Sequence, residues 1–315
     1  MKKTPRVPNL ICIGVEKSGT TFLNAVFENS ASILTPNKKE LFYYNLNYER
    51  GLSWYQSWYD FSQKVDAPYV CDVTPSYFRN KKVIGRIKET APDAKLLILV
   101  RHPVYRSFSH YVHRLRHVAL KLESYDCSFE QVLAGAGGHG DIFPKYYEHF
   151  ARWLEVFQQQ NILVLSYEQD LFHPPRVEKK LRDFLAVDDL DFDQFRGNRI
   201  NDGLMPKFYY GENKGVEVTI GESEYFIPKR TLVLAHAKGS KVWSKVDPEL
   251  ARANVEASDR WTNGLNRDDI HRIYENYYAE DVEKFSAAFS FDVQAWQQDD
   301  PVSYNCALPS DEFLR

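Results

Sequence analysis

The 315-residue sequence predicts an α/β fold with a central, mostly parallel sheet flanked by helices. Three observations carry this expectation. Apolar runs at Leu10–Val15, Leu96–Val100 and Ile162–Leu165 have the length and continuity of strands buried on both faces. Between them lie stretches with helical spacing, such as Phe22, Leu23, Val26 and Phe27. The links are short, and strand–helix alternation of this kind favours parallel pairing.

In order along the chain, residues 1–9 form a basic, proline-containing arm before the first strand. A Lys17-Ser18-Gly19-Thr20-Thr21 turn then opens a helix. Ser32–Pro36 reads as extended, and Phe42–Phe61 is dense in aromatics, with a short helix over Ser53–Trp58. Tyr69–Val73 is a strand stopped by Thr74-Pro75, Lys81–Glu89 a helix, and Ala91-Pro92-Asp93 a turn. Lys95–Val100 is the clearest buried strand. Pro103 suits the first turn of the next helix, whose apolar face is Val104, Phe108, Tyr111 and Leu115. Leu120–Asp141 is irregular and glycine-rich; Phe143–Phe157 returns to helix, and Arg176–Leu185 follows the Ile162 strand as another. From Phe192 to about Ser258 the alternation fades, and Thr231–Ala237 suits either a helix start or a strand. A single final helix is expected over Asp268–Phe289, with a peripheral tail beyond Asp299.

Composition narrows the function. A formal net charge of −3, from 40 basic and 43 acidic residues, gives no overall attraction to nucleic acid or to an anionic membrane. Aromatics at 15% suffice for a core and for walls around a ligand. Cys12, Cys71, Cys127 and Cys306 lack metal-ligand spacing and read as free thiols of a reducing compartment. With no signal-like N-terminal segment and no run approaching about 18 apolar residues, a cytoplasmic protein is expected. Three histidines, His110, His113 and His117, share a helix face, but no cysteine pair or carboxylate joins them, so no metal is expected.

The strand–loop–helix at Leu10–Phe27 presents unpaired N–H groups and a helix dipole to an anion. Its spacing is not that of a nucleoside-triphosphate loop, where Lys follows the last Gly. Here Lys17 precedes Gly19 by two residues, so the usual triphosphate–magnesium site is lacking.

Lys17-Ser-Gly-Thr-Thr-Phe-Leu23 resembles the 5'-phosphosulfate loop of sulfotransferases that use 3'-phosphoadenosine 5'-phosphosulfate (PAPS). Four further segments resemble the heparan sulfate branch of that family: Lys39-Glu-Leu-Phe-Tyr-Tyr44, Gly51-Leu-Ser-Trp-Tyr55, Thr74-Pro-Ser-Tyr-Phe78 and Val100-Arg-His-Pro-Val-Tyr-Arg-Ser-Phe-Ser-His-Tyr111. The resemblance implies one P-loop-like sulfotransferase domain over 1–315, with an acceptor-side elaboration around 192–258. It implies PAPS as donor, 3'-phosphoadenosine 5'-phosphate (PAP) as product, and direct in-line transfer to a hydroxyl or amine of a small molecule or carbohydrate.

Site roles follow from the same resemblance. Lys17, with Ser18, Gly19, Thr20 and Thr21, would hold the 5'-phosphosulfate, Lys17 also stabilising the leaving phosphate. Arg101 and Ser109, eight residues apart, would grip the 3'-phosphate. Glu40 would be the general base, held partly dry. Gly264 and Arg267 match loosely a loop that closes over the nucleotide. Trp54, Trp58, Tyr77 and His113 are acceptor-side candidates. The chain departs from the family at His102, normally Asp or Asn, and at Val73, normally a Lys that meets anionic groups. The second departure favours a neutral or cationic acceptor. A kinase or nucleotide hydrolase, and a non-catalytic nucleotide- or glycan-binding protein, are the alternatives; oligomeric state is left open.

Overall fold

A computed structural model of the chain describes residues 6–121, 129–135, 145–171, 173–193, 207–211, 215–220, 223–228, 233–235, 241–243, 265 and 267–297. Five parallel strands form the central sheet: β1 (Leu10–Gly14), β2 (Ile33–Leu34), β3 (Tyr69–Val73), β4 (Lys95–Val100) and β5 (Ile162–Ser166). Their spatial order is β2-β3-β1-β4-β5, with β1 in the centre. Leu10 pairs with Cys71 on one side and Lys95 on the other. Leu10–Ile13 and Leu96–Val100 are wholly buried, as expected of strands covered on both faces.

The first helices follow their strands as the spacing predicts: α1 (Thr20–Asn29), α2 (Gly51–Gln56), α3 (Lys81–Thr90) and α4 (Pro103–Lys121). A short α5 (Phe129–Leu133) lies within the stretch expected to be irregular; α6 (Tyr146–Leu154) and α7 (Pro174–Leu185) complete the series. Leu23, Val26 and Phe27 of α1 pack with Val177, Leu181 and Leu185 of α7 in one apolar cluster that also holds Cys12, Leu97 and Leu99. Deleting one such side chain to Ala typically costs about 2–5 kcal/mol. Cys12 and Cys71 are buried free thiols, and burial pushes Cys12 up to about 12. Cys127 and Cys306 lie outside the described residues.

The chain divides into two compact units, one of Met1–Arg106, Pro144–Asn201 and Tyr278–Asp299, the other of Ser107–Phe143, Asp202–Tyr277 and Asp300–Arg315. The first holds the parallel sheet. The second holds an antiparallel sheet, β6 (Lys207–Gly211), β7 (Gly215–Ile220) and β8 (Ser223–Pro228), in that order. The sequence reading missed it, although Val216-Glu-Val-Thr-Ile220 alternates with the period of a strand. Val233–Ala235 pairs with Lys241–Trp243, so the open choice at Thr231–Ala237 falls to strand.

The single final helix is corrected to two, Arg267–Tyr277 and Ala279–Phe289, with Tyr278 between them at φ −128° and ψ −25°. The apolar spacing of Ile270, Ile273, Tyr274, Tyr278, Val282 and Phe285 continues across the break, so periodicity does not reveal it. Among the described residues no helix is long and apolar enough to cross a membrane.

Candidate active site

The anion loop starts where β1 runs out of room. A β-carbon on Gly14 would stand 2.6 Å from Phe78 Cβ and 3.2 Å from the Pro75 carbonyl oxygen. The chain then turns through Lys17 at φ 69° and Gly19 at φ 91°, which is the N-cap of α1 and offers its N–H groups no side-chain oxygen. The first-turn N–H groups of a helix have no acceptor within it. Ser18 is fully buried, and its Oγ has no hydrogen-bond partner. A buried hydroxyl left in this condition usually answers to a ligand or water. With Thr20 buried and Thr21 beside it, these donors fit a phosphate group.

Arg101, at the carboxyl end of β4, closes the loop from behind. Its Nη1 donates to the Lys17 carbonyl at 3.2 Å, and its guanidinium lies 4.6 Å from the centre of the Tyr167 ring. The Tyr146 hydroxyl donates to the Arg101 carbonyl at 2.6 Å and accepts its N–H at 3.2 Å. The next residue, His102, donates its N–H to the buried Glu168 carboxylate at 2.8 Å, and Trp296 Nε1 donates to the same group at 3.0 Å. Burial pushes the His102 imidazole down to about 3, so it stands neutral in place of the family's Asp or Asn. Tyr146, Tyr167 and Glu168 are supports the sequence reading missed. The buried acids Glu168 and Asp170, directly after an apolar strand, are the signal that marks this segment.

Glu40 stands at φ 61°, and Lys39 Nζ meets its Oε1 at 2.7 Å. Its side chain keeps 38% exposure, a half-buried carboxylate. Glu16, next to the anion loop in sequence, pairs with Arg79 at 3.2 Å. Burial raises the Glu16 carboxyl, while nearby Arg79, Arg106 and Lys17 lower it and Glu40 raises it. Lys17 and Glu40 thus act with opposite sign on the same Glu16 carboxyl.

Other expected residues fare differently. Tyr77 is corrected from acceptor wall to core: it is 0% exposed and donates its hydroxyl to Asp72 at 3.0 Å. Val73 is also core, 1% exposed in the cluster beneath the sheet. Trp54 and Trp58 are half-buried and meet edge to face at 5.8 Å, with Trp54 also under the Arg50 guanidinium at 4.5 Å. Ser109 is half-buried and His113 exposed on the part of α4 that belongs to the second unit. Arg267 is exposed at the start of its helix, and Gly264 lies outside the described residues.

A parallel sheet with an anion loop at the end of its central strand, backed by an arginine, defines a phosphate-handling α/β protein. The family model described as the sulfotransferase domain matches residues 8–204, and the chain belongs to that family. It is 31% identical over 156 residues to the membrane-associated sulfotransferase kil1 of Dictyostelium discoideum, a match covering 49% of this chain and 32% of that one. It is 28% identical over 193 residues to the human heparan sulfate glucosamine 3-O-sulfotransferase 6, covering 58% and 53%. The human bifunctional heparan sulfate N-deacetylase/N-sulfotransferase 3 is 27% identical over 222 residues, covering 62% and 25%. The chain thus spans between a quarter and about half the length of these relatives. A sulfotransferase from Alicyclobacillus acidocaldarius shares the fold, with a TM-score of 0.58 and 20% identity over 93% of this chain and 100% of that one. These matches leave the kinase, hydrolase and non-catalytic readings without support.

Proposed function

We propose that this chain transfers a sulfuryl group from PAPS to a hydroxyl or amine of a small molecule or carbohydrate, directly and in line, releasing PAP. The observation that carries the reading is the anion loop: left-handed Lys17, the buried unpartnered Ser18 hydroxyl and the Gly19 cap, with Arg101 bonded to the loop backbone. The donor supplies an already activated sulfuryl group, so the protein's work is placement and charge. Ser18, Thr20, Thr21 and the first N–H groups of α1 hold the 5'-phosphate end, and Arg101 takes the 3'-phosphate. Ser109 joins Arg101 on the strength of its eight-residue spacing alone. Glu40 accepts the acceptor's proton as the new bond to sulfur forms, and Lys17 holds positive charge where the departing phosphate oxygen gains its electron pair.

The preference for a neutral or cationic acceptor over a densely anionic one rests on the absence of the family's lysine at position 73 alone, since Val73 itself packs in the core. The free Cys12 and Cys71 thiols support a cytoplasmic location. Glu40→Gln tests the chemistry, since it keeps shape and removes basicity. Single-turnover transfer should slow by roughly 10²–10⁴-fold with PAP affinity nearly unchanged. Transfer at the parental rate rules Glu40 out as the base.

A further inference from the structure

We propose that Asp72 is a positioning residue, which through Tyr55 and Tyr77 fixes the turn that carries Glu40; this rests on Glu40 being the base. Asp72 sits on β3 beside the central strand, opposite Ile11, and is wholly buried. Its carboxylate accepts from the Tyr55 hydroxyl at 2.6 Å, the Thr74 hydroxyl at 2.7 Å and the Tyr77 hydroxyl at 3.0 Å. A buried acid is costly, and an apolar side chain would serve the core better at this place. What it gains is a grip on the chain that follows Glu40.

That chain is held against its own preference. Glu40 and Phe42 both take left-handed backbone, at φ 61° and 52°, and Tyr43–Asn47 forms a π-helical turn. Non-glycine residues stay in this region only when their surroundings fix them. The Leu46 and Asn47 N–H groups close the turn on the Phe42 carbonyl, Asn47 Nδ2 donates to the Leu41 carbonyl at 3.0 Å, and the Asp72 tyrosines hold the two residues that follow Phe42. The Tyr77 hydroxyl, oriented by its bond to Asp72, accepts the Tyr44 N–H at 3.2 Å. The Tyr55 ring, anchored at its hydroxyl by Asp72, stacks on Tyr43 at 4.1 Å with 11° between planes. Arg86 and Ser76 complete the clamp, Arg86 donating to the Tyr44 carbonyl at 2.8 Å and Asn45 to the Ser76 hydroxyl at 3.0 Å.

The test is a double-mutant cycle of Tyr77→Phe with Glu40→Gln. The phenylalanine keeps the ring and removes the oxygen that links Asp72 to the Tyr44 N–H. The readouts are single-turnover transfer from labelled PAPS and PAP affinity. The acceptor is whichever simple alcohol, phenol, amine or glucosamine oligosaccharide the parental chain sulfates fastest. Tyr77→Phe should slow transfer roughly tenfold with PAP affinity within about twofold of parental, and should add nothing in the Glu40→Gln background. Equal slowing in both backgrounds overturns the proposal, because the network then acts elsewhere than on Glu40. So does a parental rate in Tyr77→Phe, or a parallel loss of PAP affinity. If Glu40→Gln itself transfers at the parental rate, the base assignment has failed and the positioning role falls with it, a result distinct from the others. Should Tyr77→Phe not fold, Tyr55→Phe carries the same expectation.

Discussion

Gly19 has no space for a side chain and no freedom to do without its positive φ. A β-carbon there would stand 2.5 Å from Leu171 Cδ1 and 3.0 Å from the Tyr167 ring, at a φ of 91°. That ring lies under the Arg101 guanidinium, so pushing it moves the group proposed to take the 3'-phosphate. Gly19→Ala should therefore cost about 1–3 kcal/mol of stability by urea denaturation. In calorimetry it should also weaken PAP binding. Parental affinity in a folded Gly19→Ala chain shows that the loop does not carry the nucleotide. The glycine was legible in the sequence as a loop residue; that Leu171 and Tyr167 press on it was not, because they come from the far end of β5.

At the scale of elements, α6 is a helix whose N-terminus is capped from elsewhere. Lys145 occupies its N-cap position and gives no side-chain bond. Instead Asp281, in the first turn of the helix Ala279–Phe289, accepts the N–H groups of Tyr146 at 2.5 Å and Tyr147 at 3.1 Å. One carboxylate thus stabilises two helix starts, its own and that of α6. Its place also matters to the site, since the Tyr146 hydroxyl holds the backbone of Arg101. Asp281→Ala should lower the unfolding free energy by about 0.5–2 kcal/mol, with Asp281→Asn recovering part of the loss. An alanine variant as stable as the parent removes the cap from this account. The helices themselves were readable from apolar spacing. The break at Tyr278 was not, since the spacing runs through it unchanged.

For the whole molecule, the proposed site predicts linkage between nucleotide and folding. PAP at 100 times its dissociation constant should stabilise the chain by about 2.7 kcal/mol, a rise in midpoint of roughly 4 °C. Adenosine 5'-phosphate, which lacks the 3'-phosphate, should give a clearly smaller rise at equal concentration, and a chelator should leave the PAP shift unchanged. Equal shifts from both nucleotides count against the Arg101 role; loss of the shift with chelator counts against metal-free binding. By itself the sequence determined the parallel α/β sheet and the strand–loop–helix of the anion loop, which show as local periodicity and spacing. The roles of Lys17, Glu40 and Arg101, by contrast, were expected from the family resemblance. Tertiary structure alone decided what holds those groups in place. The Tyr55–Asp72, Arg101–Lys17 and Tyr146–Asp281 bonds join residues 17, 84 and 135 positions apart. No local pattern encodes such pairs: a buried acid finds its donors only when the sheet has brought distant strands and helices together.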